Sequence, residues 1–210
     1  MRLVVARAPL RRILRWTRRG LFAVGFSLLA YCGFVLLDAW SFQREADRRL
    51  ERMLTNQLEA AAGVHQASTR GSPQPSPKAA PGGLIGRIDI PRLGISVIVV
   101  EGTAARTLRR SVGHIRGTAL PGEPGNVGIS GHRDTFFRPL RNIRQGDLVA
   151  LTTLTGEYRY RVVSTKVVPP ENVAVLDAGS QESLTLVTCY PFYYVGPAPS
   201  RFIVRAARAE

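Results

Sequence analysis

The 210 residues are 45% hydrophobic and 21% charged, a composition that fits one ordinary domain with appendages. The formal net charge is +14, but residues 1–19 hold seven arginines and no acidic residue, so half of the excess lies in a terminal tail. No aromatic-basic signature accompanies the remaining charge, and we predict no nucleic-acid partner. With only two cysteines and three histidines, a cysteine-rich zinc site is excluded, and we predict neither metal nor cofactor.

An uncharged stretch at residues 20–37 follows the basic tail 1–19. As a helix it would extend about 27 Å, close to the hydrocarbon thickness of a bilayer. The preceding arginines predict a cytoplasmic N-terminus and place everything after the span outside the membrane. We interpret residues 20–38 as a retained signal-anchor. A cleaved signal peptide is the alternative, but the residues after the apolar run form a poor cleavage site.

Residues 39–62 are rich in helix formers and predict a juxtamembrane helix. A narrow apolar stripe at helical spacing runs along it, which comprises Leu50, Met53, Leu54 and Leu58. We expect this helix to be solvated and without a partner. Residues 63–83 contain four prolines, four glycines and three serines, a composition typical of a flexible linker. We assign no function to His65 within it.

The main domain is predicted to cover residues 84–210, where short strands alternate with turn residues. Eight strands are predicted, at 84–90, 96–101, 127–131, 148–153, 158–168, 173–176, 184–189 and 202–206. Short helical turns are predicted at 104–111 and 135–143. Many short strands with little helix indicate a mainly β fold, either a barrel or a sandwich.

Cys189 stands at the end of the apolar strand that begins at Leu184, and Arg201 begins the next strand. If the two strands pair antiparallel, the cysteine lies opposite the arginine. A thiol beside a guanidinium offers a nucleophile and a fixed donor for a developing oxyanion. Cys189 could also be a small buried hydrophobe, and Arg201 a surface charge. Arg205 lies on the same strand face and is the alternative arginine.

Acyl transfer also requires a base, and two histidines compete for that role. His132 follows a predicted strand in the segment Gly-His-Arg-Asp, where its side chain could emerge into a cleft. His114 precedes the same strand. Residue types and spacing alone do not separate the two.

Three separated motifs resemble those of the sortase family, in the same order along the chain. They are Gly131-His132-Arg133-Asp134, Thr185-Leu186-Val187-Thr188-Cys189, and Pro-Ser-Arg201-Phe-Ile-Val. The amino-acid sequence around these motifs most resembles the class D group of these membrane-anchored cysteine transpeptidases. The resemblance covers roughly residues 84–207. It implies an eight-stranded sortase-type β-barrel with short helices, preceded by an N-terminal transmembrane helix and a flexible linker.

Carried onto this sequence, the resemblance implies that Cys189 is the nucleophile and His132 the acid/base. Arg201 would stabilise the oxyanion or hold the substrate backbone, and Thr188 would help to position the substrate. His114 matches no catalytic element of the family pattern.

The resemblance further implies a transpeptidase that cleaves a Leu-Pro-x-Thr-Gly or Leu-Pro-x-Thr-Ala motif near the C-terminus of exported proteins. The acyl group would pass through a thioacyl-enzyme to an amine of the envelope or of another protein. The enzyme would be a single-pass protein of the bacterial cytoplasmic membrane with its catalytic domain outside.

Three other classes are compatible with an exported cysteine protein. A papain-like protease would also use cysteine and histidine, but its Cys-Gly-Ser-Cys-Trp signature is absent and the chain is mainly β. An L,D-transpeptidase shares the compartment and the nucleophile. An inert envelope scaffold would keep the barrel for binding alone.

Overall fold

The computed structural model describes residues 7–63, 82–179 and 181–209, with side chains of the first helix from Arg12 to Glu59. Residues 1–6 of the predicted tail and residues 64–81, which include most of the predicted linker and His65, lie outside this part. The chain divides into two compact units, Met1–Ser41 and Phe42–Glu210.

One long helix, α1 (Arg7–Gly63), contributes all the described residues of the first unit. Its most apolar 18-residue window has a mean hydropathy of 2.1, and none of that window is buried in the protein. The helix is therefore long and apolar enough to cross a bilayer.

The second unit is built on eight strands that close into a barrel, in the order β1-β2-β3-β4-β7-β8-β6-β5. The strands are β1 (Leu84–Ile90), β2 (Ile95–Glu101), β3 (Val112–His114), β4 (Asn126–Ser130), β5 (Leu148–Thr153), β6 (Gly156–Val168), β7 (Ser183–Tyr190) and β8 (Ser200–Arg208). One short helix, α2 (Ala105–Arg110), and 3-10 turns at Pro91–Leu93, Arg138–Asn142 and Val173–Leu176 connect them. The predicted eight-stranded barrel with short helices is confirmed.

Two strand assignments differ from the prediction, although the total of eight is unchanged. The apolar run Val173–Leu176 was predicted as a strand but forms a 3-10 turn. Val112–His114 was not predicted, yet it forms β3, which pairs parallel with β2 and antiparallel with β4. The predicted helical turn at 135–143 is realised as the 3-10 turn Arg138–Asn142.

Alternating residues of β7 and β8 face two different apolar clusters. Leu184, Leu186 and Val204 are fully buried in the barrel interior. Ile203 instead packs outside the barrel with Val168 and Val175, and Val187 contacts the same outer cluster. Since side chains alternate along a strand, Cys189 and Arg201 belong to the outer face with Val187 and Ile203. The 3-10 turn Val173–Leu176 covers part of that face.

The juxtamembrane part of α1 packs against the barrel within the second unit, contrary to the solvated helix expected from the sequence. Leu50 is only 1% exposed. The Gln43 amide donates to the Arg110 carbonyl at 2.6 Å and accepts from the Ile98 N–H at 2.9 Å. Arg87 of β1 donates to Asp47 at 2.7 Å. Leu50 of the predicted apolar stripe is therefore buried within the second unit, and the polar residues Gln43 and Asp47 bond the helix to the barrel.

Candidate active site

Cys189 and Arg201 are direct partners in the antiparallel ladder between β7 and β8. The register runs from Ser183 opposite Ala207 to Tyr190 opposite Ser200, so the predicted antiparallel pairing is confirmed. Cys189 is a free, half-buried cysteine. Its position at the strand end leaves the thiol accessible at the rim of the barrel while the preceding strand holds its backbone in place.

His132 reaches the same end of the barrel because β4 pairs parallel with β7, with Ser130 opposite Val187. The next residue, Gly131, donates its N–H to the Val187 carbonyl at 3.1 Å. Strands β4 and β7 therefore stay in register up to the residues that precede His132 and Cys189. His132 itself is half-buried.

Gly131 is required where the His132 loop leaves β4. A Cβ atom at this position would lie 2.6 Å from the ring of Phe137, which is completely buried. Glycine thus allows the loop to fold tightly over the Phe137 ring. The Phe137 N–H in turn donates to the His132 carbonyl at 3.2 Å, which fixes the backbone of the histidine.

Thr188, the residue before Cys189, is 2% exposed. Its hydroxyl donates to the Gly131 carbonyl at 2.8 Å. The residue that the sequence associates with substrate positioning therefore contacts the histidine loop through its hydroxyl.

The structure distinguishes the two candidate arginines of β8. Arg201 lies opposite Cys189 and donates from Nη1 to the carbonyls of Ala198 and Ser200, at 3.3 and 3.1 Å. Both bonds use Nη1, and within the described part of the chain Nε and Nη2 form no hydrogen bond. Arg205 lies opposite Thr185 and donates to the Val175 carbonyl at 3.0 Å. Arg205 thus lies four residues further along β8, about 13 Å from Arg201 at the usual rise of a strand, and is bonded to the outer 3-10 turn.

The structure also separates the two histidines. His114 of β3 is 3% exposed, and its Nδ1 lies 2.7 Å from the Glu101 carboxylate. Its Nε2 lies 3.0 Å from both the Ala119 carbonyl and the Thr118 hydroxyl. Both ring nitrogens of His114 are therefore occupied inside the protein, as expected of a structural histidine.

Arg133 is a component of the site that the sequence analysis did not single out. It is 7% exposed and donates from Nη1 to the Pro191 carbonyl at 2.7 Å. It also pairs with Asp134 through Nε and Nη2, at 3.0 and 3.1 Å. The hydrogen bond from Arg133, together with the charges of Arg133, Arg138 and His132, lowers the pKa of Asp134 despite its partial desolvation. Only its position in the Gly-His-Arg-Asp motif could have indicated this role.

Aromatic residues support the start of the loop that joins β7 to β8. The rings of Tyr190 and Phe192 meet edge to face at 6.0 Å, and Phe192 and Phe202 do so at 5.3 Å. Tyr190 also stacks on Phe202 at 6.3 Å. This cluster ties the segment that follows Cys189 to the strand that carries Arg201.

Within the described residues, no group of three or more histidine, cysteine, aspartate or glutamate side chains is arranged to hold a metal ion. The chemistry that the site can perform with its own residues is nucleophilic attack by a thiol, proton transfer by an imidazole and charge stabilisation by guanidinium groups.

Comparison with known proteins defines the class. A family model described as the sortase domain matches residues 88–209, more than half of the chain. The chain belongs to the sortase family, which comprises membrane-anchored cysteine transpeptidases.

Among the curated relatives, Sortase D of Bacillus subtilis (strain 168) is 33% identical over 189 residues, covering 90% of this chain and 95% of that protein. Sortase A of Staphylococcus aureus (strain NCTC 8325 / PS 47) is 26% identical over 188 residues, covering 83% of this chain and 88% of the relative.

Solved structures show the same architecture. The Clostridium perfringens Sortase D5 transpeptidase matches with a TM-score of 0.66 at 26% identity, covering 81% of this chain and 99% of that one. Clostridium perfringens sortase C with the C-terminal cell wall sorting motif matches with a TM-score of 0.59 at 26% identity, covering 78% of this chain and 91% of the other.

Proposed function

We propose that this protein is a cysteine transpeptidase that cleaves a C-terminal sorting motif of exported proteins and transfers the acyl group to an amine. The observation that carries the proposal is the direct pairing of Cys189 with Arg201 across β7 and β8. The hydrogen bonds that join the His132 loop to β7 support His132 as the third residue of the site.

In the first half-reaction, the Cys189 thiolate attacks the carbonyl carbon of the scissile peptide bond. The oxyanion that develops is stabilised by the Arg201 guanidinium, through the nitrogens that its backbone contacts leave available. The His132 imidazolium donates a proton to the departing amine as the C–N bond breaks. A thioester between the substrate and Cys189 remains.

In the second half-reaction, an amine attacks the thioester carbonyl and His132 accepts its proton. The C–S bond breaks, the thiolate is restored and a new amide is formed. Water attacking in place of the amine gives hydrolysis. The amine acceptor is a group of the cell envelope or of another protein, and the substrate motif is of the Leu-Pro-x-Thr-Gly or Leu-Pro-x-Thr-Ala type found with this family.

For this function, we place the protein in the cytoplasmic membrane as a single-pass membrane protein. The uncharged residues 20–37 of α1 would span the bilayer. The arginines that precede the span favour a cytoplasmic N-terminus, so the barrel would face the extracytoplasmic side.

The test uses the full chain in detergent micelles, because the juxtamembrane part of α1, within the second unit, packs on the barrel. It is incubated with a library of Leu-Pro-x-Thr-Gly and Leu-Pro-x-Thr-Ala peptides and a glycine amine, and followed by mass spectrometry. We expect a covalent adduct on Cys189 and release of the C-terminal peptide fragment.

Cys32 provides the matched control, since it is the other thiol of the chain. Cys32→Ala should retain the adduct and the exchange product, whereas Cys189→Ala should lose both. Retention of the cellular role by Cys189→Ala would instead support an inert scaffold. Reaction with peptidoglycan stem peptides alone would support an L,D-transpeptidase.

A further inference from the structure

Arg133 is buried at the point where the His132 loop meets the segment after Cys189. Only 7% of the residue is exposed, although it directly follows the half-buried His132. Arginine is rarely buried unless its charge is paired, because removing a guanidinium from water is costly. The burial of Arg133 therefore calls for specific partners at this position.

Those partners lie on both sides of the site. Nη1 donates to the carbonyl of Pro191, two residues beyond Cys189, at 2.7 Å. Nε and Nη2 hold the two carboxylate oxygens of Asp134 in a bidentate pair, at 3.0 and 3.1 Å. The guanidinium thus joins the loop after β4 to the chain after β7. Three of its five N–H donors are used in these bonds, one from each nitrogen.

The charge of Arg133 is also coupled to the thiol. Its pKa is raised mainly by the hydrogen bond to Asp134, against the opposing effect of burial, and further by the negative charges of Asp134 and of the Cys189 thiolate. The bond from Nη1 to the Pro191 carbonyl, two residues beyond Cys189, holds this guanidinium charge next to the segment that carries the thiol.

Charged and titratable groups on two elements flank Cys189 in the fold. Arg201 lies opposite it on β8. His132, Arg133 and Asp134 come from the loop after β4, and Asp134 is the acidic member of this group. The Asp134 side chain is 69% exposed, so water screens its charge more strongly than that of the buried guanidinium. The balance of charge beside the thiol is therefore positive.

We propose that Arg133 is a positioning residue of the active site. It clamps the His132 loop onto the segment that follows Cys189 and holds a fixed positive charge beside the thiol. Its catalytic importance rests on the proposed transpeptidase function, whereas its effect on thiol reactivity does not depend on any substrate.

The test measures the alkylation rate of Cys189 by iodoacetamide, in full-length protein carrying Cys32→Ala so that one thiol remains. Arg133→Gln keeps hydrogen-bonding capacity without the charge, and Arg133→Lys keeps the charge without the bidentate fork. At neutral pH we expect Arg133→Gln to react about tenfold more slowly than the parent, with the difference closing at alkaline pH. Arg133→Lys should stay within about threefold of the parent rate.

Arg161→Gln is the matched control, because Arg161 also donates to a backbone carbonyl, that of Gly146 at 3.2 Å, but lies on β6. Its alkylation rate should equal that of the parent. Thermal unfolding of each variant checks that the fold is intact.

The clamp is tested by turnover of a sorting peptide. Arg133→Lys should lower kcat about tenfold with little change in KM, because the thiol remains reactive while the His132 loop loses its fork to Asp134 and Pro191. If Arg133→Gln does not fold, the turnover of Arg133→Lys alone tests the proposal. Full turnover by Arg133→Lys would overturn the clamp.

Two alkylation results would overturn the electrostatic role. One is a folded Arg133→Gln protein that reacts at the parent rate at neutral pH. The other is an equal loss in Arg133→Gln and Arg133→Lys at every pH, which would assign Arg133 to folding alone. If no variant and no parent protein processes a peptide, the proposed function fails, but the alkylation profile still decides this inference.

Discussion

The hydroxyl of Thr188 donates a 2.8 Å hydrogen bond to the carbonyl of Gly131, so the residues that precede Cys189 and His132 are bonded directly to each other. The bond crosses from β7 to the end of β4, and Thr188 is 2% exposed. Water therefore competes little for the Gly131 carbonyl. The relative position of Cys189 and His132 depends in part on this single side chain.

Thr188→Val removes the hydroxyl while keeping the size and branching of the side chain. We expect a loss of about 1–2 kcal/mol in unfolding free energy, because the Gly131 carbonyl loses a buried partner. We expect kcat for sorting-peptide cleavage to fall about tenfold with KM nearly unchanged, since the loop and not the substrate contact is altered. Thr188→Ser should restore both values. A rise in KM alone would show direct substrate contact instead.

Arg201 and Arg205 offer a matched pair on one strand face. Arg201→Gln should reduce kcat/KM by about 100-fold or more, because the charge opposite Cys189 is lost. Arg205→Gln removes an equal charge opposite Thr185 and should leave kcat/KM within about threefold of the parent. Steady-state kinetics with a sorting peptide measures both. Equal losses in the two variants would contradict the assignment of Arg201.

The rate should depend on pH with a bell-shaped profile, because the first half-reaction requires a thiolate at Cys189 and a proton on His132 together. His132→Asn should abolish turnover while leaving the thermal unfolding temperature close to that of the parent. His114→Asn should instead retain turnover and lower the unfolding temperature, because the buried contacts of His114 to Glu101 and Ala119 are lost. A kcat/KM that rises steadily across neutral and alkaline pH would rule out the thiolate-imidazolium pair.

Asp147 links stability to pH at the far side of the barrel. The hydrogen bonds from Arg92 chiefly, assisted by the Arg144 N–H at 2.8 Å, lower the pKa of Asp147 below its usual value. A carboxyl with a lowered folded pKa stabilises the native state above its unfolded pKa of about 4, and this stability is lost as pH falls through the folded value. Unfolding temperature should therefore drop as the medium is acidified.

Asp147→Asn should remove the contribution of this carboxylate to stability at neutral pH. We expect the free energy of unfolding to fall by about 2 kcal/mol, because the buried, charge-assisted bonds are lost. Its unfolding temperature should also vary less with acidification than that of the parent. Glu171→Gln, at an exposed acidic position, is the control and should follow the parent curve. Parallel acid curves for the parent and Asp147→Asn would refute the linkage.

Leu50 tests whether the juxtamembrane helix belongs to the folded unit. Leu50→Ala should destabilise the unit by about 2–3 kcal/mol, because a fully buried side chain is truncated. Leu58 lies on the same predicted stripe but is 71% exposed, so Leu58→Ala should change stability by less than about 0.5 kcal/mol. Thermal unfolding of the full chain in micelles compares them, and equal effects would argue against the packed helix.

A mainly β domain could be predicted because its short strands are bounded by glycine, proline, aspartate or asparagine. The pattern left a barrel and a sandwich open, and the resemblance to sortases indicated the barrel. Two elements could not be assigned from local pattern. The run Val173–Leu176 is apolar because it covers the outer face beside Ile203, and an apolar covering turn looks like a strand in the sequence. β3 has three residues, and its formation depends on pairing with β2 and β4.

Within the site, the pairing of Cys189 with Arg201 was predictable because both flank a single loop. The choice between His132 and His114 depends on contacts that residue types do not reveal, such as the Glu101 carboxylate that occupies His114. The burial of Arg133 was unpredictable for the same reason, since its carbonyl partner on Pro191 is distant in sequence. Local pattern pairs Cys189 with Arg201, whereas long-range packing determines which other side chains lie near them.

The position of β8 between β7 and β6 has a consequence for biosynthesis. β8 is the last of the eight strands in chain order, and the ribosome therefore releases the thiol before the strand that carries Arg201. Until β8 is inserted, the barrel is open and Cys189 has no guanidinium opposite it. The nascent chain thus carries Cys189 without its strand partner, and Cys189 and Arg201 come to lie opposite each other only when the final strand pairs with β7 and β6.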